Sequence, residues 1–89
     1  MTWADTTKYD KYAKGQAQSS WTSQGRNIQI EITNANPIYK KKWVMHCQNL
    51  DIYSLLLDVP FDSPPEQAQE MAVLVVRARL NAMLNSLPE

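Results

Sequence analysis

The chain has 89 residues, 44% apolar and 20% charged, a globular composition rather than a disordered or collagen-like one. Nine Lys/Arg balance nine Asp/Glu, which excludes the gross basic excess of a histone-like or ribosomal tail, and a single Cys excludes an internal disulfide and a multi-thiolate zinc site. At this size roughly 60–65% of the unfolded chain's surface is buried on folding, enough for one core of one sheet with one or two helices and little depth for a catalytic cleft.

Residues 1–26 admit two readings that can coexist. Trp3 to about Gln18 suits a helix, with Thr2 as cap and Asp5 near its positive end, shortened to about Gly15 where a strand follows. Ala17–Thr22 then suits a first strand, with Ser23-Gln24-Gly25 as a tight turn. This stretch is expected to be a flexible N-terminal segment, and residues 27–89 a single α+β domain.

Asn27–Thr33 alternates strictly, so Ile28, Ile30 and Ile32 share one side of a half-buried strand. Asn34-Ala35-Asn36-Pro37 reads as the following turn. From Tyr39 to Gln48 a second strand places Trp43, Met45 and Cys47 on the core face, with Lys42, Val44 and His46 opposite. Asn49-Leu50-Asp51 is a turn in which Asn49 is expected at positive φ. Ile52–Val59 forms the next strand, with Tyr53, Leu55, Leu57 and Val59 facing the core and Ile52, Ser54, Leu56 and Asp58 facing out.

Asp62-Ser63-Pro64-Pro65-Glu66 signals a helix start, with Ser63 as N-cap, Pro64 at N1 and Glu66 completing a capping box. The helix runs to about Ser86 or Leu87. Its polar stripe is Glu66, Glu70, Arg77, Asn81 and Asn85, interrupted by Val73. Almost everything else is apolar, a wider arc than one sheet face requires. The surplus is covered either by the N-terminal segment or by a second chain. The expected fold class is therefore α+β: an antiparallel meander of three to four strands with a long C-terminal helix across one face. A four-stranded meander followed by a dimerising helix is similar in element order to the transcription-cofactor and Whirly single-stranded DNA-binding proteins. The α-β-β-β-α order is similar to double-stranded RNA-binding domains. The start of the helix departs from the latter, because Ser63–Ala68 has no Lys or Arg.

Catalytic chemistry finds little footing. His46 and Cys47 are neighbours on a strand and point to opposite faces, so they form neither a nucleophile–base pair nor a chelate. Glu66 and Glu70 suit the positive end of a helix, and Gly15 and Gly25 do not make a phosphate loop. The expectation is a non-enzymatic interaction module without a cofactor: an adaptor, inhibitor or complex subunit that self-associates or binds a protein partner. Its contact residues are expected to be Val73, Val76, Leu80 and Leu84 on the helix with Val44 and Leu56 on the sheet.

The alternative is single-stranded nucleic-acid binding. Residues 1–45 carry a formal +4 and residues 46–89 a formal −4, and Lys40-Lys41-Lys42 is the densest charge. Lys40, Lys41, Lys42 and Arg26 would neutralise phosphates while Tyr39 and Trp21 stack on bases. No apolar run approaches the ~18 residues of a membrane span, and Met1–Asp5 lacks signal-peptide character. A cytoplasmic protein without membrane association is expected.

Overall fold

The computed structural model describes residues 2–8 and 17–88. Five strands form one antiparallel meander in chain order: β1 (Trp3–Asp5), β2 (Ser20–Gln24), β3 (Gln29–Thr33), β4 (Val44–Cys47) and β5 (Ile52–Leu56). One helix, α1 (Pro65–Asn85), crosses one face of this sheet. The class is α+β as expected, with one strand more than the three to four read from the pattern.

The extra strand comes from the N-terminus. Trp3–Asp5 is extended, not helical, because it pairs with β2 through Trp3↔Ser23 and Asp5↔Trp21. The rest of the expected helix falls on residues 9–16, outside the described residues. Polar side chains then fasten the N-terminal segment to β2. Thr7 Oγ1 accepts the N–H groups of Ser19 and Ser20 at 2.8 and 3.0 Å, and Thr6 N–H donates to the Ser20 carbonyl.

β2 runs two residues further than the pattern suggested, and the turn centres on Arg26-Asn27. Gly25 N–H donates to the Ile28 carbonyl at 2.7 Å and closes the hairpin. A Cβ at Gly25 would sit 3.1 Å from Ile28 Cγ2, so the tight approach favours glycine.

The register places Trp21, Ile32, Met45 and Leu55 in one row, and Ser23 beside Ile30 in the next, all toward α1. Ile30, Ile32, Met45 and Cys47 are fully buried, as their alternation requires. Trp43, just ahead of β4, lies against Trp21 with ring centroids 5.7 Å apart and planes tilted by 38°. Its indole Nε1 is buried without an acceptor. Tyr39–Lys42 is loop rather than strand, and Lys41 takes φ 56°.

Gln48–Leu50 is a single 3-10 turn whose left-handed residue is Asp51 (φ 54°), in place of the expected Asn49. Asn49 instead accepts the Gln29 N–H on its Oδ1 at 2.9 Å. Between Met45 and Cys47 the β4–β5 register slips by one residue, so Tyr53 and Ser54 together oppose His46. This bulge reverses the expected facing at the start of β5. Ile52 is buried in the core and Tyr53 is exposed, while Leu57 beyond the bulge is buried as read from the pattern.

Pro64 occupies the N-cap position of α1, and no side chain caps it. The Ser63–Glu66 capping box is thus corrected by one position. Pro65 stands at N1, where its lack of an N–H costs nothing, and Gln67 N–H donates to the Pro64 carbonyl. Ala68, Ala72 and Val76 bury against the sheet, the two alanines letting the helix approach closely.

Candidate functional site

A helix of 21 residues is about 31 Å long, since each residue rises 1.5 Å. The buried positions of α1 stop at Val76, and every residue from Arg77 to Pro88 is exposed. The last nine helical residues therefore overhang the sheet by about 13 Å. At 100° per residue, Leu80, Met83 and Leu84 fall on one face about 100° wide, beside the Val76 stripe that enters the core, and Leu87 follows just past the C-cap Ser86. All four are exposed, Leu84 at 64% and Leu87 at 66%. Trp3 lies along the other half of the helix, in a groove with Glu66, Val73 and Arg77. The N-terminal strand thus borders the packed half of α1 while the overhanging stripe stays open.

The six expected contact residues divide. Leu80 and Leu84 belong to the open stripe, and Val73 is half-buried against the core. Val76 is a core residue, 5% exposed. Val44 has no exposed surface, being held between Thr33 of β3 and Leu56 of β5. Leu56 is exposed, but on the face away from α1. Met83, three residues after Leu80, completes the stripe within the helix, a spacing legible in the helical period, and Leu87, three residues after Leu84, extends it past the helix end.

The nucleic-acid constellation does not assemble. Trp21 is buried against Trp43, so its ring cannot stack on a base. Arg26 sits in the β2–β3 turn, whereas Lys40, Lys41 and Lys42 sit in the β3–β4 loop with the exposed Tyr39. In a meander these connections lie at opposite ends of β3, about 17 Å apart for a five-residue strand.

Cys47 is buried on the α1 face and His46 stands half-buried on the other, so the pair is divided as the strand period required. Among the described residues no three His, Cys, Asp or Glu side chains gather as a metal set. On the face away from α1, at the end that carries both the β2–β3 turn and the 3-10 turn, the sheet forms a concavity of about 870 Å³. Glu31, His46 and Tyr53 line it together with carboxamides from both turns.

No family model, curated protein or solved structure matches this chain.

Among the described residues no helix is long and apolar enough to cross a membrane. The overhang of α1 gathers four exposed large hydrophobic residues, Leu80, Met83, Leu84 and Leu87, within eight positions of the chain.

Proposed function

We propose that this chain is a non-enzymatic interaction module that self-associates through the overhanging half of α1, the stripe of Leu80, Met83, Leu84 and Leu87 packing against the same stripe of a second copy. The observation that carries this reading is that the stripe continues the buried Val76 row beyond the edge of the sheet, with every residue exposed. Exposed apolar side chains gathered at helical spacing are the kind of surface a second copy can bury. A two-fold, antiparallel pairing of the overhangs uses the same patch twice and closes the assembly at two copies.

Sedimentation equilibrium tests the reading. The wild-type chain is expected at twice its 10.2 kDa mass, and Leu84→Asp at the monomer mass with an unchanged far-UV circular dichroism spectrum. A wild-type chain that stays monomeric at high concentration overturns it. Leu80→Asp serves as the second variant, and Asn85→Asp, about 100° round the helix from Leu84, as the control that stays dimeric.

A further inference from the structure

The concavity on the opposite face is built from different chemistry. Its floor comes from β3 and β4, where Glu31 stands directly across from His46, and its rim from the two turns. Side chains of paired strands at such positions lie about 5 Å apart, so a carboxylate acceptor and an imidazole are presented side by side. The imidazole is oriented: Ser54 N–H donates to His46 Nδ1 at 3.1 Å. Nδ1 is thus the acceptor nitrogen, and the neutral ring carries its proton on Nε2 as a donor. Asn49 is held in the same way, its Oδ1 taking the Gln29 N–H, which leaves its amide protons to donate.

The bulge supplies the third component. In a regular strand Tyr53 would face the core, as Leu57 does. The left-handed Ser54, at φ 49°, inserts one residue and turns Tyr53 to the open face, where its ring lines the concavity and is 60% exposed. A non-glycine residue at positive φ is strained, and bulges of this kind re-aim side chains.

We infer that this concavity is a binding site for a neutral, polyhydroxylated ligand, a mono- or disaccharide. Hydroxyl groups both donate and accept, and so do the five carboxamides of the lining, on Gln24, Asn27, Gln29, Gln48 and Asn49. The donor on His46 and the acceptor on Glu31 match two adjacent hydroxyls of one ring. One Arg and one Glu leave the lining without a net formal charge, so neither a phosphate nor a cation is selected over a neutral ligand. A purely apolar ligand would strip water from these carboxamides without replacing their hydrogen bonds. The exposed face of Tyr53 offers an apolar platform for the C–H face of a pyranose.

The experiment is a ¹H–¹⁵N correlation titration of the full chain with lactose, maltose and N,N′-diacetylchitobiose, with inorganic phosphate as the charged probe. Saturable shifts at millimolar sugar, centred on Gln29, Glu31, His46, Asn49 and Tyr53, are expected for at least one sugar. Tyr53→Ala should weaken that binding about three- to tenfold while leaving the remaining spectrum folded, and Tyr53→Phe should retain it. Absence of saturable shifts with all three sugars overturns the inference, as does equal binding by wild type and Tyr53→Ala, or phosphate displacing the sugar. Leu84→Asp, on the other face, should bind as wild type does, so failure of the dimer and failure of the sugar site are read separately.

Discussion

Ser54 donates its backbone N–H to His46 Nδ1 across the β4–β5 pair, and it does so from a left-handed conformation at φ 49°. One side-chain acceptor thereby replaces the carbonyl that a regular antiparallel ladder would provide. The exchange holds the bulge that buries Ile52 and exposes Tyr53. Two consequences are measurable. Ser54→Gly is expected to raise stability by about 0.5–1 kcal/mol in urea denaturation, since glycine adopts this φ without strain. Ser54→Val is expected to lower it by about 1–3 kcal/mol, because a β-branched side chain tolerates this region poorly. In the neutral imidazole, ¹⁵N shifts should show Nδ1 unprotonated and Nε2 protonated.

The two halves of α1 should respond oppositely to truncation. Val76→Ala removes buried methyl groups and should cost about 2 kcal/mol at any protein concentration. Leu84→Ala removes exposed surface and should change monomer stability by less than about 0.5 kcal/mol. If the overhangs pair, the melting temperature of the wild type rises with protein concentration, and that of Leu84→Asp does not. Scanning calorimetry over a range of concentrations checks both.

The Trp21–Trp43 contact joins β2 to the residue entering β4, and both rings are buried. Native tryptophan emission should be blue-shifted and move to the red on unfolding. Trp21→Ala should cost about 3–5 kcal/mol, enough to leave much of so small a domain unfolded, given a total stability of about 5–13 kcal/mol. Trp43→Phe should cost clearly less than Trp43→Ala. It keeps an aromatic ring in the core and also removes the indole N–H, whose burial without an acceptor costs about 1–3 kcal/mol. Urea titrations followed by circular dichroism rank the three variants.

Cys47 is a free thiol with no exposed surface. Its labelling by a disulfide reagent should be slow in the native state and immediate in denaturant. Under native conditions the rate should follow the fraction of open molecules, so Val76→Ala should accelerate it by about 30-fold if opening is global and reclosing is fast. Rapid labelling of the native wild type would mean that β4 is not held in the core.

Local pattern made much of this protein legible. Strict alternation placed Ile30 and Ile32, then Trp43, Met45 and Cys47, on the core side, because side chains of an extended chain reverse face at every residue. The same rule divided His46 from Cys47. The Pro-Pro-Glu start and the 3.6-residue period placed α1 to within two residues at either end.

Tertiary structure decided what no local rule contains. The bulge at Ser54 exchanged Ile52 and Tyr53, because pairing with β4 and the His46 acceptor outweighed the period of two. Pairing with β2 made Trp3–Asp5 a strand despite its helical features, and it buried Trp21 beyond reach of any base. The candidate interface was likewise decided by packing. The helical period draws one apolar stripe from Ala68 to Leu84. Contact with the sheet buries Ala68, Ala72 and Val76, while every residue from Arg77 onward is exposed, because an apolar side chain is buried only where another element faces it.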